Sequence, residues 1–167
     1  MNFATADPGM STGLAIWSAE ITNSQHPPRW ELLHIGTVKY ACAREYIDRL
    51  EACRKHYNIW FAVIERWVNY GRRFANSEKM VTQQTLLSEV WPQHILIPKK
   101  VWDPANMQPG YQRAYALEYG LDTVNEHELD AVCMGLNLFR RLPVDHEDKA
   151  AYLWTRAIDH KTVGKLM

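Results

Sequence analysis

Ile59-Trp60-Phe61-Ala62-Val63-Ile64-Glu65 is the stretch on which the fold turns. Six apolar residues run together and a single acid closes them. A strand with one wet face alternates apolar and polar residues. An unbroken run instead marks a strand covered on both faces, as parallel strands inside α/β sheets are. The residues just before it keep a different period. Ala43, Tyr46, Ile47, Leu50 and Cys53 recur at helical spacing across 41–57, with charges between them. A helix feeding a doubly covered strand is a crossover, so this strand is expected to lie parallel to an earlier one.

Working toward the N-terminus, residues 2–7 (NFATAD) read as a short strand halted by Pro8-Gly9, and residues 13–20 as a second. The polar, proline-rich segment 23–28 marks a turn. Residues 29–38 alternate loosely and make a third strand, completing an antiparallel unit. Toward the C-terminus, 66–73 reads as a loop, 75–90 as a helix and 94–98 (HILIP) as a fifth strand. An irregular stretch holding Pro104 and Pro109 follows. A helix is expected over 110–119, ending at Gly120. Asn125 can cap another that runs to about Arg141 and is stopped by Pro143. A last helix covers about 145–160. The expected architecture is α/β: a mixed five-stranded sheet, three antiparallel strands followed by parallel ones, flanked by helices in a single domain over 1–167.

The 167 residues are 47% hydrophobic, enough for a full core and against disorder. Nineteen basic residues balance nineteen acidic ones. Net neutrality weighs mildly against a nucleic-acid partner, yet a basic surface can coexist with an acidic one. The basic residues do bunch, at Arg66, Arg72 and Arg73, at Lys99 and Lys100, and at Arg140 and Arg141. Cys42, Cys53 and Cys133 form no CxxC pair, which argues against a zinc cage or disulfide framework and for buried reduced thiols. No basic-then-apolar leader opens the chain, and no apolar run approaches the roughly 20 residues of a membrane span. The expectation is a cytoplasmic protein with no membrane contact.

Asp7 and Glu65 each close a strand. If the two strands are adjacent and parallel, both carboxylates emerge at the sheet's carboxyl edge, where open α/β sheets place their ligands. A charge directly after IWFAVI needs a cation or water, and a plain solvated strand-end acid is the competing reading. A third piece is Asn125-Glu126-His127-Glu128-Leu129-Asp130-Ala131. His127 and Asp130 share a helix face, and the coreward Leu129, Val132, Cys133 and Leu136 place Asp130 near the core boundary. Glu126, one turn before Asp130, can reach the same place. It and Glu128 also suit an ordinary acidic first turn. Three carboxylates and an imidazole, with no sulfur, suit Mg²⁺ or Mn²⁺. Two such ions, about 3.5–4 Å apart, can activate water and stabilise the leaving oxygen of a phosphodiester.

Asp7-Pro8-Gly9-x-x-x-Gly13-Leu14-Ala15 resembles the first-strand signature of the RuvC-type Holliday junction resolvases. Ala62-Val63-Ile64-Glu65 is similar to their second acidic motif, and His127-x-x-Asp130-Ala131-Val132 to their C-terminal motif. The order and separations agree over nearly the whole chain. The resemblance implies an RNase H-like fold and a metal site of Asp7, Glu65, His127 and Asp130, with Mg²⁺ or Mn²⁺, two ions per site, as cofactor. It also implies a homodimer and four-way DNA junctions as substrate. The short chain and loose motif match suit a phage-encoded branch. The family often has Asp where His127 stands. A neutral imidazole there can bind metal or accept a proton from the attacking water.

The family's stretch after the fifth strand reads Pro-x-x-Val-Lys, then a glycine-rich segment with another lysine. Here Pro98-Lys99-Lys100-Val101 is followed by Trp102, and later by Gly110-Tyr111-Gln112-Arg113. Lys99, Lys100 and Arg113 are therefore the phosphate-contact candidates. The family carries an aromatic wedge in the loop after the second acid, which here reads Arg66-Trp67-Val68-Asn69-Tyr70-Gly71-Arg72-Arg73. Aromatics beside Arg66, Arg72 and Arg73 suit base stacking and phosphate contact. Tyr70, next to Gly71, is the better wedge, because Trp67 equally suits the core. Three alternatives accompany the resolvase reading: a flap nuclease, an RNA–DNA hybrid nuclease and a junction-binding protein without catalysis. The sugar-kinase-like relatives of the fold need a second domain that the chain is too short to hold.

Overall fold

The computed structural model describes residues 1–9, 11–20, 29–67, 77–99 and 125–141, and at 29, 30, 77 and 138–141 the backbone alone. The expected turn at 23–28, the irregular 100–110, the helices at 110–119 and 145–160, and Tyr70, Arg72, Arg73, Lys100 and Arg113 lie outside the described residues.

Five strands and three helices are described: β1 (Asn2–Asp7), β2 (Ser11–Glu20), β3 (Arg29–Lys39), α1 (Ala43–His56), β4 (Ile59–Arg66), α2 (Ser77–Val90), β5 (His94–Pro98) and α3 (Glu126–Arg141). The sheet order is β3-β2-β1-β4-β5. β1 pairs antiparallel with β2, and β2 with β3. β4 lies parallel to β1, and β5 parallel to β4. The apolar run thus occupies the expected place, next to the first strand and inside the sheet. Asn58, at φ 50°, makes the left-handed turn that brings the chain out of α1 into β4. Asparagine tolerates that conformation better than most residues. The Asn2 amide donates to the Tyr57 carbonyl at 2.6 Å, fixing the start of β1 beside this turn.

Strand alternation divides the core between two faces. Phe3, Trp17, Phe61, Val63 and Ile95 pack against Ala131–Leu136 of α3. Ala4, Ala6, Leu14, Ile16, Ala62 and Ile64 pack against Tyr46 and Leu50 of α1 and Leu87, Val90 and Trp91 at α2. Polar groups tie down each layer. On the α3 face the Thr5 hydroxyl donates to the Ala131 carbonyl at 2.6 Å and accepts from the Trp17 indole at 3.0 Å. A Cβ at Gly135 would collide with that indole, so glycine lets α3 lie directly on Trp17. On the other face Thr12 joins the Tyr46 hydroxyl at 2.5 Å and donates to Gln83 Oε1 at 2.9 Å, linking β2 to α1 and α2. Burial pushes the Tyr46 hydroxyl above its ordinary range, so it stays a neutral partner.

All three cysteines are free, as expected, but their burial corrects the sequence reading. Cys133 is buried, Cys53 is half-buried and Cys42 is exposed. Cys42 stands at the N-cap of α1 in extended conformation and caps nothing with its side chain, so it lies ahead of the face that Tyr46 and Leu50 bury. No helix among the described residues is long and apolar enough to cross a membrane.

Candidate active site

The same alternation that builds the core places the acids. On β1, Phe3 and Thr5 face α3, so Asp7 does too. On β4, Phe61 and Val63 face α3, so Glu65 follows them. The β1–β4 register pairs Ala6 with Ile64, and one step further sets Asp7 beside Glu65 at the carboxyl edge. On β5, Ile95 packs toward α3, Ile97 pairs with Glu65, and Lys99 follows two residues later. Three adjacent strand ends therefore deliver Asp7, Glu65 and Lys99 to one face.

α3 supplies the rest, and its N-terminus is held firmly. Asn125 Oδ1 accepts from the Glu128 amide at 3.0 Å, while Glu128 Oε2 accepts from the Asn125 amide at 3.1 Å. This reciprocal pair is a capping box. The Thr37 hydroxyl of β3 donates to Glu128 Oε1 at 2.5 Å and accepts from the Asn125 side-chain amide at 2.7 Å. The helix start is thereby pinned to the far side of the sheet. Asn125 caps as its sequence suggested. Glu128 belongs to this cap, and Glu126 is exposed on the helix rim.

The two motif glycines make room for this helix. A Cβ on Gly9 would strike the His127 ring, and one on Gly13 would strike the His127 carbonyl and the Glu128 amide. The DPGxxxG pattern is thus a bed for the first turn of α3. Both glycines stand out in the sequence, but their role under α3 does not. The signal available was that both flank the tight β1–β2 connection, where a side chain would stand in the way of anything packed over Asp7.

His127 Nδ1 lies 2.7 Å from Asp7 Oδ2, with the Asp7 side chain almost buried and the imidazole 39% exposed. This hydrogen bond raises the affinity of His127 for a proton against the opposing effect of burial, and the charges of Asp7 and Asp130 add to it. Lys99 Nζ donates to Asp130 Oδ2 at 2.9 Å. Burial alone would lower the Lys99 ammonium. The bond to Asp130 and the charges of Asp130, Glu65 and Asp7 outweigh it and raise it. Glu65 is pushed up from 4.5 to about 9, first by burial, then by the neighbouring Asp7 charge. Lys99 opposes that rise, while a hydrogen bond with Asp7 and the charge of Asp130 reinforce it.

Asp7, Glu65, His127, Asp130 and Lys99 thus form one electrostatically linked cluster. Among the described residues no three or more His, Cys, Asp and Glu side chains are arranged to hold a metal ion as they stand. The donor set nevertheless fits a hard divalent cation. Three carboxylates converge, and burial disfavours the charged form of Glu65 among them. Among the described residues Glu65 Oε2 is fully buried and meets no hydrogen-bond partner, which is costly unless a cation or proton meets it. Of the expected DNA contacts within the described residues, Arg66 is exposed at the end of β4 and Trp67 is half-buried. The Trp67 amide donates to Gln84 Oε1 of α2 at 2.8 Å, so α2 fixes where the loop leaves the sheet.

No protein-family model matches the chain, and neither does any curated protein sequence. Solved structures do. RuvC of Thermus thermophilus aligns with a TM-score of 0.59 at 19% identity, over 83% of this chain and 94% of that one. The same protein in complex with a Holliday junction substrate aligns at 0.56 and 17% identity, over 83% and 93%. The fowlpox virus resolvase bound to Holliday junction DNA aligns at 0.50 and 13%, over 85% and 99%. Identities this low speak to architecture. The sheet order, its antiparallel-then-parallel pairing and these alignments together identify the fold as RNase H-like, in the form taken by the Holliday junction resolvases.

Proposed function

We propose that this chain is a divalent-metal-dependent endodeoxyribonuclease that resolves four-way DNA junctions by paired, symmetric nicks. The observation that carries the reading is the gathering of Asp7 and Glu65, from adjacent parallel strand ends, with His127 and Asp130 of α3 on one face of the sheet. A solvated strand-end acid would not be buried against two further acids. The junction as substrate is taken from the solved neighbours, two of which carry Holliday junction DNA.

Asp7, Glu65 and Asp130 would hold Mg²⁺ or Mn²⁺, with His127 as a further ligand or, in the arrangement seen here, as the base; the ion when bound would supply an activated water and neutralise charge on the phosphodiester. Asp7 holds His127 through Nδ1, fixing the ring plane and leaving Nε2 to exchange a proton near the exposed rim. Its raised proton affinity suits an imidazole that takes a proton from attacking water at neutral pH and later returns it. Glu65 and Asp130 are buried at the ends of the strand and helix that carry them, which limits how far either carboxylate can stray from the shared edge. Arg66 and Lys99 flank this edge as phosphate contacts. Lys100, Arg72, Arg73 and Arg113 are assigned the same role on sequence grounds, and Tyr70, with Trp67 behind it, the wedge at the crossover.

The test is a cleavage panel: a synthetic four-way junction, a flap, a plain duplex and an RNA–DNA hybrid, each with Mg²⁺, Mn²⁺ or EDTA. Symmetric, metal-dependent nicking of the junction alone is expected. Preferential cutting of the flap or hybrid would move the assignment to another RNase H-like nuclease. Tight junction binding without cutting under any metal would leave a binding protein.

A further inference from the structure

We propose that Lys99 is an internal counter-cation of the acidic cluster, which competes with the divalent ion for Asp130 and sets how tightly the site binds metal. The inference rests on the metal-site reading above and concerns a residue that reading uses only as a phosphate contact. Its basis is the placement of one ammonium among three carboxylates. Lys99 is the first residue past β5, and its Nζ bonds Asp130 Oδ2 at 2.9 Å. Its charge also acts on Glu65 and Asp7, so it answers the whole cluster rather than one acid.

The two partners differ in a way that suits exchange. The Asp130 side chain is 7% exposed and fixed on a helix, whereas the Lys99 side chain is 48% exposed on a flexible stem. A compact ammonium on four methylenes can leave toward solvent without disturbing the sheet. Mg²⁺ binds oxygen ligands at about 2.0–2.1 Å with little tolerance in geometry. Oδ2 cannot offer that approach while it accepts from an ammonium at hydrogen-bond distance, and two cations on one carboxylate oxygen repel. With no divalent ion, Lys99 balances acids that would otherwise repel one another; when the ion arrives, it must withdraw from Oδ2. An opposite charge within about 4–6 Å shifts a carboxylate's proton affinity by about tenfold to a thousandfold. A competing divalent ion should feel at least the lower end of that range.

The experiment measures Mg²⁺ and Mn²⁺ affinity by calorimetry, and metal-induced thermal shift, for wild type, Lys99→Met and Lys99→Arg at pH 7.5. Lys99→Met is expected to bind the ion about tenfold more tightly or better, to melt lower than wild type in EDTA, and to gain more on metal addition. Lys99→Arg keeps the charge and should stay near wild type. On the wild-type protein itself, the Lys99 side-chain Cε and Nζ resonances should shift as Mg²⁺ is titrated, a readout that survives if the methionine variant does not fold. Equal or weaker binding by Lys99→Met, or Lys99 resonances unmoved at saturating Mg²⁺, would overturn the proposal while leaving the metal site intact. No metal binding by either wild type or Lys99→Met would overturn both.

Discussion

Glu65 has a solvent-exposed arginine on one side and five buried apolar residues on the other, and its proton affinity follows the second neighbourhood. Its ordinary value of 4.5 applies in the unfolded chain, and about 9 in the folded one. Between those values the folded state binds more protons than the unfolded state, so stability falls as pH rises through the window. His127, raised by its bond to Asp7, contributes with the same sign, since a raised histidine loses its stabilising proton as pH climbs. Melting temperature in EDTA is therefore expected to drop between pH 5 and pH 9. Glu65→Gln should make the drop shallower, with His127 accounting for the remainder. Adding Mg²⁺ at pH 8 should raise the melting temperature of wild type and have little effect on Glu65→Gln; a wild-type melting temperature flat across this range would contradict the burial assigned to Glu65. Asp7 makes a sharper case, because it touches His127 directly and Glu65 through its carboxyl. Asp7→Asn keeps the shape and removes the charge. Junction cleavage should fall by at least about a hundredfold, since losing one charge-stabilising group costs about a hundredfold to a thousandfold. Junction affinity by gel shift should stay within a few-fold, because binding rests on phosphate contacts made elsewhere. Near-normal cleavage by Asp7→Asn with Mg²⁺ would show the site to be misassigned.

At the level of elements, most of the sheet and both acidic strands were legible because their signals are local. IWFAVI has no polar residue to alternate with, and it lies inside the sheet. HILIP is bounded as expected at both ends. Asn125 and Glu128 stand three residues apart and cap α3 reciprocally. Contacts made only in three dimensions were not legible. Nothing in the spacing of Lys99 and Asp130 announces their ion pair, because 31 residues separate them. Thr37 pins α3 from the edge strand, 88 residues before Asn125. The glycine bed lies between these cases, with residues visible and purpose hidden. It supports two predictions that differ in kind. Gly13→Ala would place a methyl group against helix backbone, which cannot turn aside, so α3 must move. A loss of about 1–3 kcal/mol of stability is expected from such overpacking, with cleavage falling further than stability alone explains. For Gly9→Ala the nearest obstacle is the His127 imidazole, a side chain that can rotate away. Denaturant unfolding should change little, but the bond from His127 to Asp7 should weaken and the His127 titration move down toward its ordinary value. An unchanged His127 titration, followed by proton NMR, would show that the ring does not rest on Gly9.

For the whole molecule, the open question of assembly centres on α2. A four-way junction presents two strands to be cut in two-fold relation, and a two-fold dimer offers two active sites in the matching arrangement. The sequence over 75–90 carries more apolar residues than one buried face requires. Leu87, Val90 and Trp91 are buried on the protein's own sheet, Met80 and Leu86 are half-covered, and Val81 is 49% exposed. The uncommitted apolar surface among the described residues of α2 is thus narrow and centred on Val81, where a second copy could meet it. The inner side of α2 is locked in place through Gln83 to Thr12 and through Gln84 to the amide of Trp67, two residues beyond Glu65. A partner docked on the outer side would therefore press on a helix already keyed to the strand ends that carry Asp7 and Glu65. We expect sedimentation at micromolar concentration to give twice the mass of one 19.5 kDa chain. Val81→Glu should shift that mass toward the monomer by placing a charge in the contact. If the dimer is what pairs the cuts, the same variant should replace coordinated nicks on a supercoiled cruciform with single, uncorrelated ones. Single-chain mass for wild type, unchanged by adding junction DNA, would rule the dimer out and favour an enzyme that cuts one strand at a time. A wild-type dimer left whole by Val81→Glu would move the interface off α2 without touching the argument from the substrate's symmetry.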